Sequence, residues 1–125
     1  MKSKTAFKQF DIVQVDLEPT KGSEQRGIRP CLIIETNSLA GLGQTVLVAP
    51  FTTKRLEKIY PYEVCVEPAK GNGLKQTSKV KLNQIRVIDK TRISKSLGSI
   101  EKDLQTQVLH AIALIFDFNR YFAEE

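Results

Sequence analysis

The chain alternates short runs of apolar and β-branched residues with polar stretches that contain glycine or proline, and it carries one long helical pattern near its C-terminal end. Runs of this length, separated by turn residues, are typical of antiparallel β-strands. The sequence therefore predicts a mainly β fold, a small β-barrel or strongly curled sheet with a C-terminal α-helix packed against it. The predicted strands are residues 10–17, 29–36, 45–51, 61–67, 77–82 and 85–88.

The patterns inside these runs predict which strand faces are buried. Residues 29–36 are almost continuously apolar, which predicts a strand that is covered on both faces. Residues 61–67 and 77–82 alternate instead between apolar and polar positions. The alternation in the second of these places Lys79 and Lys81 together on one face, which predicts a continuous basic track.

The helical pattern covers residues 99–118, with Ser99 as the predicted N-cap. Between the strands, residues 37–44 contain two glycines and are predicted to form a turn, while residues 52–60 are predicted to be a polar connection. Residues at helical spacing predict the buried stripe of the helix, which consists of Leu104, Val108, Ala111, Ile112 and Ile115.

A chain of 125 residues corresponds to one domain, residues 1–125. Both cysteines, Cys31 and Cys65, lie inside apolar runs, which predicts free buried thiols and suits a reducing cytoplasm. The sequence has neither the His and Cys spacing of a zinc site nor a glycine-rich phosphate-binding motif, so no metal or other cofactor is expected. Since the longest apolar run is residues 111–116, far short of the ~20 residues of a membrane span, and residues 1–9 do not resemble a signal peptide, a cytoplasmic location is expected.

The net charge of +5 is distributed unevenly along the chain. Residues 51–95 contain eleven Lys or Arg against four Asp or Glu, so the remaining residues are slightly acidic in sum. A concentrated positive field favours a polyanion, because neutralising phosphates releases counterions. An ordinary solvated surface explains the same charge, and the charge alone slightly favours that interpretation.

The segment 19–30 (PTKGSEQRGIRP) stands out among the loops. It contains two glycines and leads directly into an apolar strand, and Pro30 biases Arg29 toward extended conformations. Arg29 is therefore positioned more tightly than a loop residue, although an incidental arginine on a solvated loop is equally favoured by this segment alone. The single histidine, His110, lies in the predicted helix, where a structural or surface role is favoured over catalysis.

Several segments in order resemble the MazF/PemK family of toxin endoribonucleases. They are residues 10–17 (FDIVQVDL), 19–30, 48–53 (VAPFTT), 73–74, 78–80 and 84–89 (QIRVID), and the GSExxGxRP pattern is the most specific of them. The similarity extends over residues 10–115. It implies a Src-homology-3-like small barrel of the MazF/PemK/CcdB toxin type and a homodimer.

The resemblance also implies an activity and partners. The activity is that of an mRNA interferase, which cleaves single-stranded RNA at short sequences without a metal. The 2′-hydroxyl attacks the adjacent phosphorus and leaves a cyclic phosphate and a 5′-hydroxyl. The implied partners are RNA and a small acidic antitoxin. The antitoxin neutralises growth inhibition, and the toxin binds DNA together with it.

Carried over residue by residue, the resemblance implies that Arg29 and Thr52 are catalytic and that Glu24 occupies a loop position linked with activity. Arg29 would stabilise charge on the phosphorane and Thr52 would donate to the same phosphate. Glu24 is the candidate base, with a salt bridge to Arg26 as an equally favoured alternative. The histidine that the PemK branch uses near the first loop is missing here, so its acid–base scheme does not transfer. The expected RNA-binding residues are Lys21, Lys54, Ser78, Lys79 and Arg86.

Two functional alternatives remain open. A gyrase-poisoning toxin of the same barrel fold is disfavoured because that relative acts through a C-terminal tryptophan and this chain contains no Trp. A nucleic-acid-binding module without catalysis is disfavoured by the presence of both Arg29 and Thr52. Phe51 or Tyr62 could stack an RNA base, although core packing is favoured for both. Neither the cleavage motif nor the identity of the antitoxin follows from the sequence.

Overall fold

The computed structural model describes residues 7–122, and within them seven strands and three α-helices follow one another along the chain. These elements are β1 (Asp11–Asp16), β2 (Ile28–Ile33), α1 (Asn37–Ala40), β3 (Thr45–Thr52), β4 (Glu63–Val66), β5 (Ser78–Lys81), β6 (Arg86–Asp89), β7 (Ile93–Ser99), α2 (Lys102–Phe116) and α3 (Phe118–Phe122). The strands are those of a mainly β protein with a C-terminal helix, which confirms the predicted fold class.

The strands form an antiparallel sheet in the order β4-β5-β3-β2-β1-β7, and β6 pairs with the first half of β3. The long strand β3 therefore has different partners along its length, β6 at residues 45–48, β2 at residues 48–50 and β5 at residues 51–52. The sheet is curled like a barrel but is not closed, since β4 and β7 remain at its two ends. This division of β3 brings its last residues beside β2, β4 and β5.

Strands β1, β2 and β3 present apolar residues on both faces, and each face has its own core. On one face, the buried residues of these strands are Ile12, Leu32, Ala49 and Phe51, which pack with residues of β4, β5 and α2. On the other face they are Val13, Val15, Cys31, Ile33, Val46 and Val48, which pack with Ile88 and Ile93. The prediction that the second strand is covered on both faces is confirmed, because a strand between two cores must be apolar on both sides.

The helix α2 is shorter than predicted at its start. It begins at Lys102, not at Ser99, because Ser99 is the last residue of β7 and its N–H donates to the carbonyl oxygen of Gly71 at 2.9 Å. Glu101 occupies the N-cap position without a side-chain capping bond. The helix ends at Phe116, because Asp117 adopts the left-handed conformation (φ 55°) that short polar residues tolerate.

The predicted helix stripe is confirmed in its middle and wrong at its end. Val108 and Ala111 are buried, and Leu104 and Ile112 are half-buried against the same core, whereas Ile115 is exposed because the last turn extends beyond the sheet. Neither the strand β7 nor the one-turn helix α1 was predicted. Strand β7 has the weakly apolar sequence ISKSLGS and pairs with β1 through two register shifts, so no regular alternation marks it. None of the helices within residues 7–122 is sufficiently long and hydrophobic to cross a bilayer.

The turn between β4 and β5 docks against β7. A side chain on Gly98 would collide with the backbone of Gly71 and Asn72, and one on Gly73 would collide with the backbone of Leu97. The buried side chain of Asn72 holds the turn, since its amide donates to the Glu67 carbonyl oxygen at 2.9 Å and its oxygen accepts from the N–H of Leu74 at 3.0 Å. Two glycines are therefore needed for backbone to approach backbone here.

A second tight connection depends on a buried lysine. Lys90 is 3% exposed, and its Nζ donates to the carbonyl oxygens of Ala40 and Gly43, each at 2.6 Å. The ammonium thus satisfies carbonyls at the end of α1 and in the turn that follows it. This lysine contributes no charge to the exposed surface.

Candidate active site

Arg29 is the second residue of β2, and two backbone carbonyls fix its guanidinium. Its Nε donates to the carbonyl oxygen of Arg26 at 2.8 Å, and its Nη1 donates to that of Phe51 at 3.0 Å. A guanidinium has five N–H donors in one plane, so the remaining donors of Arg29 are free for a ligand. The two bonds orient that plane before any ligand arrives.

Thr52 is the last residue of β3 and is 7% exposed. Its Oγ1 accepts the N–H of Lys54 at 3.2 Å, which leaves the hydroxyl hydrogen free to donate. The peptide group that joins Phe51 to Thr52 contains the carbonyl that holds Arg29. Arg29 and Thr52 are therefore fixed to one rigid piece of backbone.

Both side chains line one cavity of about 530 Å³, which we call the Arg29–Thr52 cavity. The two residues also border a smaller neighbouring cavity of about 230 Å³, together with Ser78. Arg29 and Thr52 thus share one opening, which their expected action on a single phosphate requires. The other residues that line the Arg29–Thr52 cavity are Ser23, Gln25, Thr53, Lys54, Arg55, Tyr60, Glu63, Lys79 and Lys81.

The cavity is bordered by a buried cluster of charges on β4 and β5. The Oε1 of Glu63 lies 2.9 Å from Nζ of Lys79, and its Oε2 lies 3.5 Å from Nζ of Lys81. Burial raises the pKa of Glu63, but the hydrogen bond from Lys79, the backbone N–H of Tyr60 and the two positive charges outweigh it and hold that pKa below its usual value. Glu63 is thus a carboxylate at neutral pH.

The structure corrects the expectation of an exposed basic track at Lys79. This side chain is 2% exposed and its ammonium is enclosed, whereas the Lys81 side chain is partly exposed at the cavity wall. The alternation along β5 correctly places both lysines on one face, but that face turns toward Glu63 on the adjacent strand, and the carboxylate draws Lys79 inward.

The segment from residue 53 to residue 61 makes up nearly all of the connection between β3 and β4 and closes one side of the cavity. It contributes Lys54 and Arg55, both exposed, and Tyr60, whose ring is stacked parallel to that of Tyr62 with centroids 5.2 Å apart. Phe51 is buried in the core, as favoured from the sequence, while Tyr62 is half-buried against Tyr60. The aromatic ring that borders the cavity is that of Tyr60, which was not singled out from the sequence.

Glu24 lies outside the Arg29–Thr52 cavity and lines a neighbouring cavity of about 610 Å³, which we call the Glu24 cavity. Its Oε1 accepts the N–H of Lys21 at 2.7 Å, whereas the carboxylate near Arg26 is Glu18, at 4.0 Å. Arg86 lines the Glu24 cavity and donates from Nη1 to the Leu17 carbonyl oxygen at 3.1 Å. The two cavities are adjacent, because Ser23 and Gln25 line both.

The remaining predicted residues have varied positions. Lys21 is exposed on the first loop, and Ser78 is buried with its Oγ donating to the carbonyl oxygen of Gln76 at 2.9 Å. His110 is exposed on α2, as favoured from the sequence. Cys31 is fully buried, and burial raises the pKa of its thiol to about 12.

Sequence reasoning did not find Glu63 or Tyr60 as residues of the site, and it placed Lys81 only on the predicted basic track. A signal for Glu63 was present in the sequence. Glu63 lies at an alternating position of the predicted strand 61–67, and the next predicted strand, 77–82, has two lysines on one face, so the opposite charges could meet if the strands paired. The register that brings them together, Glu63 opposite Lys81 and Cys65 opposite Lys79, cannot be deduced from either strand alone. Within residues 7–122, no three His, Cys, Asp or Glu side chains are grouped closely enough to hold a metal ion.

Comparison with known proteins gives a consistent result. Residues 8–116 match the family model described as the PemK-like, MazF-like toxin of type II toxin–antitoxin systems. Among curated proteins, the chain is 32% identical over 107 residues to Endoribonuclease EndoA of Bacillus subtilis (strain 168), and the match covers 86% of this chain and 91% of that protein.

Solved structures show the same similarity. The Mycobacterium tuberculosis toxin MazF-mt6 superposes with a TM-score of 0.71 and 25% identity, covering 86% of this chain and 96% of that one. A mycobacterial endoribonuclease in complex with its cognate antitoxin superposes with a TM-score of 0.74 at 21% identity, covering 90% of this chain and 96% of that one. Because the identity to the mycobacterial endoribonuclease is only 21%, that match shows similarity of fold alone.

Proposed function

The chain belongs to the PemK-like, MazF-like toxin family of type II toxin–antitoxin systems, and from this premise we propose that it is a sequence-specific, metal-independent endoribonuclease that cleaves single-stranded RNA. The observation that carries the proposal is the cavity shared by the guanidinium of Arg29 and the hydroxyl of Thr52. A phosphodiester in this cavity would meet one fixed cation and one free hydroxyl donor. These are the groups that a charged pentacovalent phosphorus requires.

RNA supplies its own nucleophile, the 2′-hydroxyl beside the phosphate. Its attack forms the bond from O2′ to phosphorus, breaks the bond from phosphorus to O5′, and leaves a cyclic phosphate and a 5′-hydroxyl. Arg29 would stabilise the negative charge on the equatorial oxygens, because its free N–H donors are oriented in advance and need no reorganisation. Thr52 would donate its hydroxyl to one of the same oxygens.

The proton transfers and the path of the RNA are assigned to residues around the two cavities. Glu24 is the candidate acceptor of the 2′-hydroxyl proton, reached from the neighbouring cavity. The leaving oxygen O5′ would take up a proton from water and so become the 5′-hydroxyl. The cationic side chains that line the cavities would contact phosphates on either side of the cleaved bond, and they are Lys54, Arg55, Lys81 and Arg86. Lys21, exposed on the first loop, would contact a phosphate farther along the RNA. Ser78 borders the smaller cavity beside Arg29 and would contact the RNA there.

The same family membership supports the partners and the location that we propose. The chain would act as a homodimer on mRNA in the cytoplasm and arrest growth until an acidic antitoxin covers it. The mycobacterial relative is described in complex with its cognate antitoxin. An acidic partner fits the net charge of +5.

The experiment that tests the proposal is single-turnover cleavage of a mixed-sequence single-stranded RNA by the purified protein in the presence of EDTA. We expect cleavage at a short recurrent sequence, with a cyclic phosphate on one product and a 5′-hydroxyl on the other. Arg29→Ala should lower the rate by about 10²–10³-fold, the usual cost of losing one preorganised transition-state donor. Arg26→Ala is the matched control, since Arg26 is a neighbouring exposed arginine that does not line the cavity.

The outcomes separate the alternatives. An unchanged rate in folded Arg29→Ala would remove this residue from the mechanism. RNA binding without cleavage by the wild-type protein would favour a non-catalytic binding module, and neither binding nor cleavage would favour a toxin directed at a protein.

A further inference from the structure

We propose that the buried pair of Glu63 and Lys79 positions the segment 53–61 beside the Arg29–Thr52 cavity, so that Glu63 and Lys79 are positioning residues for RNA cleavage. The inference rests on the proposed function for its link to RNA, while the positioning itself is a property of the fold. It assigns to Lys79 a role different from direct contact with RNA.

All the hydrogen-bonding capacity of Lys79 is used inside the protein. An ammonium has three N–H donors, and Nζ of Lys79 has three acceptors at 2.9 Å: Oε1 of Glu63 and the carbonyl oxygens of Arg55 and Lys58. The side chain is 2% exposed. Lys79 therefore has no donor left for a phosphate, and two of its three bonds go to the backbone of the segment 53–61.

Glu63 holds the same segment at its other end. Its Oε1, which accepts from Lys79, also accepts the backbone N–H of Tyr60 at 3.0 Å. The pair thus fixes three successive parts of the segment, at Arg55, Lys58 and Tyr60. Arg55 adopts a left-handed conformation (φ 56°), which is unfavourable for a side chain of this size, and the bond from Lys79 to its carbonyl oxygen holds that conformation.

The segment held in this way is the one that completes the cavity. Lys54, Arg55 and Tyr60 line the cavity together with Arg29 and Thr52. The segment belongs to no strand or helix of the described residues. Its other backbone hydrogen bonds are short-range, from Lys54 N–H to Thr52 Oγ1, from Lys58 N–H to the Arg55 carbonyl oxygen and from Glu63 N–H to the Tyr60 carbonyl oxygen. The bonds from Lys79 are therefore the ones that join the segment to β5. Displacement of such a wall would move its cationic side chains relative to the phosphate.

A role limited to stability explains the pair less well. Apolar residues of similar volume usually stabilise a buried position as well as an ion pair does, because taking two charges out of water is costly. An apolar pair between β4 and β5 would remove the donor to the Lys58 carbonyl oxygen and leave the Arg55 carbonyl oxygen only the longer bond from the N–H of Lys58, at 3.4 Å. The specific consequence of the charged pair is therefore the conformation of the segment.

The test compares two buried lysines. Lys79→Met removes the ammonium beneath the segment, and Lys90→Met removes the equally buried ammonium at the end of α1, which lies outside both cavities. For each full-length protein we would measure amide hydrogen exchange at residues 54–60, the single-turnover cleavage rate at saturating protein, and the affinity for RNA with a 2′-deoxy group at the cleavage site.

We expect Lys79→Met to speed exchange at residues 54–60 and to lower the saturated cleavage rate by about 10- to 100-fold, the scale of a misplacement of about 1 Å. Lys90→Met should lower the stability but leave the exchange of this segment and the cleavage rate of the folded protein unchanged. Folded Lys79→Met protein that matches Lys90→Met in segment exchange and cleavage rate would overturn the inference.

A second variant covers the case in which Lys79→Met does not fold. Glu63→Gln keeps the volume and the acceptor for the Tyr60 N–H but removes the charge that holds Lys79, so the same changes in smaller size are expected. Unchanged exchange and rate in that variant would overturn the inference. Failure of the wild-type protein to cleave RNA would contradict the proposed function. In that case the amide hydrogen exchange of the segment 53–61 would still test whether Glu63 and Lys79 position it.

Discussion

At the scale of single residues, the free hydroxyl hydrogen of Thr52 is the feature to test. Thr52→Val keeps the volume of a nearly buried side chain but removes the donor, whereas Thr52→Ser keeps the donor. We expect Val to lower the saturated single-turnover rate by about 10- to 100-fold, the value of one hydrogen bond to a charged group, and Ser to lower it by about twofold at most. Equal rates for the two variants would show that the hydroxyl does not act on the phosphate.

The sequence predicts residues of the site where a local pattern fixes them. Arg29 precedes a proline at a strand start, so its tight positioning was foreseeable, and the structure adds the two carbonyls that orient it. The burial of Lys79 was not foreseeable, since it depends on Glu63 from a strand whose register the sequence does not specify. The alternation of residues within one β-strand indicates which side chains share a face, but not which residues of a neighbouring strand that face contacts.

At the scale of secondary-structure elements, the contact between β7 and the turn before β5 depends on glycine. We expect Gly98→Ala to lower the free energy of unfolding by about 1–3 kcal/mol, because the new methyl group would collide with the backbone of Gly71 and Asn72. Urea denaturation followed by circular dichroism measures the change. Gly43→Ala is the control, as no atom lies near its added methyl group, and its effect should stay within about 0.5 kcal/mol.

The elements that were predicted correctly are those with strong, regular patterns. Strands β1 to β3 consist of apolar runs between turn residues, and the structure moves their ends by a few residues at most. Strand β7 was missed because its polar sequence is stabilised by pairing with β1 and by the docked turn, not by its own pattern. The same strand occupies residue 99, which explains why α2 starts later than its pattern indicated.

At the scale of the whole molecule, the positive charge is smaller at the surface than in the sequence. Of the eleven basic residues between positions 51 and 95, Lys79 and Lys90 are buried and satisfy internal carbonyls. The other nine are at least partly exposed, and several of them surround the two cavities. The field that an RNA meets therefore comes from a localised group of exposed cations.

This charge distribution predicts a strong dependence of RNA binding on salt. For three to four phosphate contacts, the affinity for an uncleavable 2′-deoxy-substituted RNA should fall with a log–log slope of about −2 to −3. Lys54→Ala should make that slope shallower by about 0.7, whereas Lys102→Ala, at the start of α2 and away from both cavities, should leave it unchanged. Filter binding at several salt concentrations measures the slope, and salt-independent affinity would argue against phosphate contacts.

The strand β3 supplies alternate residues to both cores, and its last residue belongs to the site. If β3 detached, neither core would keep its packing, so the molecule contains no half that could melt by itself. Thermal denaturation should accordingly be cooperative, with tyrosine fluorescence and backbone ellipticity changing at one temperature. The geometry that orients Arg29 and Thr52 would then persist up to that temperature and vanish with the whole fold.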